Sequence, residues 1–380
     1  MARAAEPLRD LKITRVVGFD LPCRRSKVAG KNSHLDVHGD QATDRMLRVY
    51  TNQQLDGVGN LAVDRQGAAA LLGKSVAEFF VADERRMAGP LGVGTLPLWD
   101  LTGKALGQPV YQLLGGAGSQ RVGVYDGSIY FADLLPAYEA NWQDRFREEI
   151  DMARRVGHRA VKVKIGRGFK WMPRAVGDRR DVEVLQLIRR HAGDEFLIGV
   201  DANNGYDLAG TQRLFAEIGD LKIAFAEEMF PEDVEQCLKF TAFLRARGWE
   251  TLVADGETQG DLKVFLPLIA TKAVQVYQAD MKRFGLEGIM TEALMAGTQQ
   301  LRVAPHNWGS WIGFIMQLHV GRAIKNFYRA EHDPLTNDLL VADGYAIADG
   351  EATVPDAPGL GLHVNEARFA DVKIHFDVRL

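Results

Sequence analysis

Seven ionisable residues follow one another at the ends of short apolar runs: Lys164, Asp201, Glu227, Glu257, Asp280, His306 and Glu331, at intervals of 37, 26, 30, 23, 26 and 25 residues. Each interval is about the length of one strand–helix unit. Asp201, Glu227 and Glu257 belong to consecutive units, so in a parallel sheet they would stand on neighbouring strands roughly 4.8 Å apart. Three carboxylates at that spacing repel one another unless a cation neutralises them. An all-oxygen donor set points to a hard ion, Mg²⁺ before Mn²⁺ or Ca²⁺. The register is open at two points. Glu228 adjoins Glu227, and Asp255 shares a face with Glu257 under the period-two rule of strands. By the same rule Asn203 shares a face with Asp201, close to the metal shell or the substrate.

In the run AVKVK, Val161 and Val163 point to one side while Lys162 and Lys164 point to the other. Two ammoniums on one face, near a divalent cation, are expected to depress each other's pKa, which suits Lys164 to proton abstraction. Asp280 and His306 end neighbouring strands. A carboxylate holding one imidazole nitrogen fixes the tautomer and raises the basicity of the other. His306 would then face Lys164 across the metal, with one acid–base group on each face of a bound substrate. The chemistry such a set performs is removal of the proton beside a carboxylate, with Mg²⁺ stabilising the enediolate. Arg167, Lys170 and Arg174 are expected near the mouth, either favouring polyhydroxylated anions or simply solvated at the surface. His319 falls in a helical pattern and reads as packing or surface.

These residues need elements that bring seven strand ends to one rim. Strand patterns occur at 122–126, 160–164, 196–201, 223–228, 251–257, 274–280, 301–306 and 327–331, with amphipathic helices between them, for example over 233–247 and 261–270. Eight strands alternating with helices predict an α/β fold, a closed parallel barrel with its catalytic groups at the C-terminal strand ends. No GxGxxG follows the first strand and no Walker lysine occurs, which counts against nucleotide-binding folds. The first hundred residues read as α+β, with strands at 12–20 and 45–51 and helical periodicity over 67–114. Residues 23–43, with Arg24, Arg25, Lys27, Lys31, His34 and His38, read as a long polar, functional loop. The predicted division is an α+β domain over 1–120, the barrel over 121–345, and a C-terminal return over 346–380 that packs on the first domain.

At 380 residues, 46% hydrophobic and 25% charged, the composition is that of a globular protein with a large core. A net charge of −4 gives no reason to expect nucleic acid or an anionic membrane as partner. Cys23 and Cys237 form neither a disulfide framework nor a thiolate zinc motif. No apolar signal core or membrane-length run is found, so a cytoplasmic location is expected. The expected partner is a small carboxylate, a sugar acid, and assembly as a homo-oligomer is expected.

On these residues the chain resembles the enolase superfamily, in its mandelate racemase/muconate lactonising subgroup, over nearly its whole length. WDLTGKALGQPVYQLLGG (99–116) is similar to the helix joining that family's capping domain to its barrel. AVKVKIG (160–166) resembles the KxK motif, which implies Lys164 as base and Lys162 as its electrostatic neighbour. GVDANNGYD, AEE and DGE resemble the metal-ligand motifs and select Asp201, Glu227 and Glu257. Asp280 and His306 resemble the family dyad, and Glu331 falls where an acid contacts the substrate carboxylate or enediolate. The resemblance implies a (β/α)₇β barrel, an α+β cap completed by the C-terminal segment, and cap loops that set specificity. Met229 departs from the pattern, standing where the family has proline, and APHNWGSW (304–311) matches no known substrate signature. The leading expectation is an acid-sugar dehydratase forming a 2-keto-3-deoxy acid. A racemase or epimerase acting by 1,1-proton transfer is the alternative. Remoter ones are a Schiff-base aldolase using Lys164 and a non-catalytic metal-binding protein.

Overall fold

The computed structural model describes residues 6–380. Among these, eight parallel strands form the barrel: Arg121–Ile129, Ala160–Lys164, Leu197–Asp201, Ile223–Glu227, Leu252–Asp255, Val276–Tyr277, Arg302–Val303 and Ala330–His332. Each pairs with the next up to Arg302–Val303. The ring closes because Ala330–His332 lies parallel to Arg121–Ile129, while Phe327 bridges to Val303. Seven helices connect consecutive strands: Trp142–Val156, Arg174–Ala192, Leu208–Ile218, Val234–Arg245, Phe265–Thr271, Met281–Gly297 and Trp311–Ala323. Strands such as Ala160–Lys164 are buried at every position, as expected where helices cover one face and the barrel lumen the other. Small and large side chains interlock in the lumen, where Ala160, Ala254 and Ala304 pack with Tyr125 and Phe225.

The N-terminal domain is built on an antiparallel sheet in the order Leu335–Thr336, Ile13–Ala29, Gly39–Thr51, Asp56–Asn60, with Ile374–Arg379 also paired to Ile13–Ala29. The C-terminal segment therefore completes this sheet, but it does so only at its end. The hairpin Ala346–Ala348/Glu351–Thr353 sits instead on the barrel strand, with Glu351 opposite Gly123. Leu335–Thr336, which the sequence division assigns to the barrel, belongs to the cap sheet. Helix Leu96–Leu106 carries buried Asp100, which accepts from Val58 N at 2.9 Å and Leu360 N at 2.7 Å and so ties the cap to the C-terminal return.

Two sequence expectations are corrected here. Residues 23–43 are not one long loop: the first strand runs to Ala29, the second starts at Gly39, and only 30–38 is loop. Burial alternates strictly from Leu21 to Ala29, but two inward positions are Arg25 and Lys27. Each is cancelled by a buried acid, Asp333 at 2.6 Å and Glu149 at 2.8 Å, so the strand has no hydropathic signature. The periodicity over 67–114 is likewise not one helix. Helices cover Arg65–Ala69, Leu96–Leu106 and Val110–Leu113, with a capped 3₁₀ turn at Val76–Glu78 and a short ladder between them. The three-to-four spacing there records burial under the sheet rather than continuous helix.

Candidate active site

Parallel pairing sets Lys164, Asp201 and Glu227 side by side at the C-terminal rim, in register with one another. Residues in register point to the same face, here the barrel lumen. The same register aligns Ala254 with Glu227, so Asp255 points outward, where it meets Glu232. Strict alternation would send Glu257 outward as well. Gly256, at φ +134°, breaks the alternation and turns Glu257 back to the rim. Ligand oxygens of Asp201, Glu227 and Glu257 lie within 4.8 Å of one another. Asp255 has no part in that cluster, and it is the turn at Gly256 that puts Glu257 there instead.

The lysines sit among these acids. Lys162 Nζ lies 2.8 Å from Glu331 Oε1 and 3.2 Å from Asp201 Oδ2, and it also pairs with Glu227. Lys164 pairs with Asp201 and donates to Asn203 Oδ1 at 2.9 Å. Mutual depression of the two ammoniums, expected from the sequence, is not what this geometry gives. Burial opposes both charges, but Asp201 at Lys164, and Glu227 with Glu331 at Lys162, outweigh it and hold both pKa values above the ordinary lysine range. The carboxylates respond in opposite directions. Burial raises Asp201, but Lys164 and Lys162 pull it well below the carboxylate range. Burial dominates at Glu227 and, with Glu257 adding to it, at Glu228, and both are raised.

His306 and Asp280 meet as a dyad. His306 Nδ1 donates to Asp280 Oδ2 at 2.7 Å, and the other carboxylate oxygen caps the following helix, accepting from Lys282 N at 2.9 Å and Arg283 N at 2.8 Å. The helix terminus thereby fixes the acid that fixes the imidazole. His306 Nε2 lies 3.2 Å from Glu257 Oε2. Burial opposes the imidazolium, but Glu257 and Asp280 outweigh it and hold the pKa up to about 9.

Several residues take positions that the sequence did not assign them. Glu331 is braced by the chain at both oxygens, Oε1 lying 2.8 Å from Lys162 Nζ and Oε2 accepting from Asn307 N at 2.9 Å. Gln278, two residues before Asp280, donates to Glu227 Oε2 at 2.6 Å. The same-face rule applied back from Asp280 would have found it. Asn203 and Glu228 occupy left-handed backbone, at φ 43° and 42°, and are joined by Asn203 Nδ2 to Glu228 Oε2 at 3.1 Å. Asn203 Nδ2 also lies 3.2 Å from Glu257 Oε1. Strain of this kind persists where surrounding contacts over-determine it. The three mouth cations are all engaged. Arg167 is fully buried between Asp133 and Asp181, Lys170 donates to His34 O at 2.7 Å, and Arg174 donates to Gly205 O at 2.8 Å. Arg167 braces a loop from within, whereas Lys170 and Arg174 are exposed, as the surface alternative expected. His319 lies in helix Trp311–Ala323, as its pattern suggested, and of the two readings left open it takes the buried one. A cleft of about 750 Å³ opens at the opposite end of the barrel, around Leu197, Ile223, Leu252 and Arg302, and contains none of these acid–base groups.

The residues present suit a hard divalent cation. Five carboxyl groups (Asp201, Glu227, Glu228, Glu257 and Glu331) gather round three basic groups, Lys162, Lys164 and His306. Glu228 Oε1 is enclosed without any hydrogen-bond partner, and Glu257 Oε2 has only His306 Nε2 near it, at 3.2 Å and outside hydrogen-bonding geometry. Unpaired buried carboxylate oxygens of this kind are costly unless a cation meets them.

The cap closes the rim from above. Ser33 Oγ donates to Ala202 O at 2.7 Å, and Trp171 Nε1 donates to Asn32 O at 2.6 Å, which pins loop 30–38 to the loops after the second and third barrel strands. Among the described residues, no helix is long and apolar enough to cross a membrane.

Comparison with known proteins agrees with this geometry. The family described as "Enolase C-terminal domain-like" matches residues 145–368, more than half of the chain. Arabinonate dehydratase of Saccharolobus solfataricus is 31% identical over 291 residues, which covers 76% of this chain and 72% of that one. A mandelate racemase/muconate lactonizing protein from Geobacillus sp. Y412MC10, solved with magnesium and tartrate, superposes with TM-score 0.89 at 30% identity, and the match covers 95% of both chains. Galacturonate dehydratase from Geobacillus sp., solved with D-galacturonate and 5-keto-4-deoxy-D-galacturonate, gives TM-score 0.88 at 30% identity over 95% of this chain and 96% of that one.

Proposed function

The chain belongs to the enolase superfamily, in its mandelate racemase-like branch, and from that premise we propose that it is a Mg²⁺-dependent acid-sugar dehydratase. The observation that carries this reading is the presence of two proton carriers at one acid cluster, held by different strands: Lys164 on Asp201, and His306 on Glu257. Mg²⁺ held by Asp201, Glu227 and Glu257 would supply counter-charge to the substrate carboxylate and, by taking Asp201 as its own ligand, would favour the neutral form of Lys164. Lys164 then takes the proton from the carbon beside the carboxylate. Lys162, held by Glu331 and Glu227, keeps positive charge next to it. His306, held through Nδ1 by Asp280, gives its proton to the β-hydroxyl, which leaves as water. The enol left behind tautomerises to a 2-keto-3-deoxy acid. The 5-keto-4-deoxy product named for the Geobacillus dehydratase has the same relation, a ketone beside the carboxylate and a deoxy carbon next to it.

The test is a panel of aldonic, uronic and aldaric acids with Mg²⁺, read by keto-acid formation in D₂O. A product with a ketone beside the carboxylate and one deuterium on the adjacent deoxy carbon is expected, C3 for aldonates and aldarates and C4 for uronates. Exchange of the α-proton in recovered substrate, with no keto acid from any panel member, would instead assign the two carriers to racemisation.

A further inference from the structure

Beside the acid cluster stands a wall that the proton-transfer chemistry does not use. It is made by His38 from cap loop 30–38, by Tyr130 just past the first barrel strand, and by Trp308 two residues after His306. The His38 ring lies 4.7 Å from Tyr130 and 5.7 Å from Trp308, and the Tyr130 and Trp308 rings are 4.6 Å apart. Lys164 Nζ is 5.3 Å from the Tyr130 ring, so the wall borders the proposed base directly.

The chemistry of His38 follows from a single bond. Trp308 Nε1 points at His38 Nδ1 at 3.2 Å. Indole nitrogen only donates, so Nδ1 must accept, and in the neutral ring the proton resides on Nε2. Burial first, then Lys164 and Arg25, push the His38 pKa down to about 4, so the ring is neutral near pH 7. Nε2 is enclosed and has no partner among the described residues. A buried donor without an acceptor is an uncommon arrangement in a protein interior, and an oxygen brought against it would satisfy it. Among the described residues, the cations nearest the wall are already paired. Arg25 stacks on Trp308 at 4.4 Å, but Asp333 neutralises it at 2.6 Å and it also donates to Gly39 O and Gln41 O. Lys31, at the loop base, is paired with Asp36 at 3.0 Å.

We propose that His38, Tyr130 and Trp308 seat the hydroxyl-bearing tail of an acid sugar with a single carboxylate, and that His38 Nε2–H donates to a tail oxygen. This rests on the dehydratase reading and narrows it to aldonates and uronates. Aldarates would place a second carboxylate against neutral and already paired groups, at a desolvation cost nothing there offsets.

The experiment compares wild type, His38→Asn and His38→Gln on D-gluconate, D-galactonate, D-xylonate, D-galacturonate and galactarate, with Mg²⁺ affinity measured for each protein by calorimetry. Wild type should favour its best single-carboxylate substrate over galactarate by at least about 100-fold in kcat/KM. His38→Asn keeps an acceptor for Trp308 but loses the ε donor, and should lose about 10–100-fold in kcat/KM, mainly through KM, with unchanged Mg²⁺ affinity. His38→Gln restores an N–H at that position and should recover at least about 3-fold over His38→Asn. A His38→Asn enzyme within about 3-fold of wild type, or a preference for galactarate, overturns the proposal while leaving the dehydratase reading intact. Mg²⁺-loaded wild type inert on all five acids sinks the dehydratase reading and this proposal with it.

Discussion

Gly256→Ala places its perturbation at the residue that turns Glu257 inward. With φ at +134°, alanine there takes up backbone that non-glycine residues rarely adopt, at a cost of about 1–3 kcal/mol. Its Cβ would also stand 2.9 Å from Phe265 Cζ and 3.2 Å from Gln278 N. The ring tip can yield, but the second contact is backbone of the residue whose amide holds Glu227. Two of the three metal ligands are thus displaced by one methyl group. Loss of ligand support typically weakens metal binding by about 10–100-fold. At Mg²⁺ about 100 times the wild-type Kd, binding adds about 2.7 kcal/mol of stability. A 100-fold weaker variant retains about 0.4 kcal/mol at the same concentration. Unfolding entropy of roughly 2 cal/mol/K per residue means that 1 kcal/mol shifts the Tm of a chain this long by only about 1 °C. The Mg²⁺-induced rise should therefore shrink from about 3 °C to about 0.5 °C, read by scanning calorimetry with and without EDTA. An undiminished rise together with full turnover would refute the claim that this turn places Glu257.

Other expectations concern ligands, proton carriers and pH. Glu257→Gln should weaken Mg²⁺ binding by at least about 10-fold, whereas Asp255→Asn should stay within about 3-fold, and titration calorimetry giving the reverse order would move the ligand to Asp255. Lys164→Ala and His306→Asn should each lower kcat by at least about 100-fold with Mg²⁺ affinity retained, and a variant keeping more than about a tenth of the wild-type rate would not have lost an acid–base group. Burial pushes the His319 pKa down to about 3, below its ordinary value. The unfolded chain therefore protonates first, and stability present above about pH 6.5 falls as acid is added. Between about pH 7.5 and 5, denaturant titration should give wild type about 2 kcal/mol more loss than His319→Gln, and equal losses would contradict a buried neutral ring.

The barrel was legible because its signals are local. Apolar runs, helical stripes and strand-end polar residues recur at unit length, and period-two alternation separates Lys162 and Lys164 from Val161 and Val163 without any tertiary knowledge. Cap strand 13–29 was half hidden because its inward face carries Arg25 and Lys27. Hydropathy records side-chain type and cannot register that Asp333 and Glu149, 308 and 122 residues away, cancel those charges. Gln278 was legible and passed over, since it shares the strand face of Asp280. Tyr130 and Trp308 offered no signal, because an aromatic residue after a strand reads the same whether it lines a site or fills a core.

By composition and spacing, the sequence determined that consecutive strand ends would gather carboxylates, lysines and one histidine. That follows from strand periodicity and unit length, which are properties of neighbouring residues. Only the tertiary structure decided which acids face the lumen, how the lysines are charged, and which cations remain free. Register, a glycine turn at Gly256, and partners contributed from distant segments set those outcomes, because electrostatic energy depends on distances through space that the order of residues does not contain.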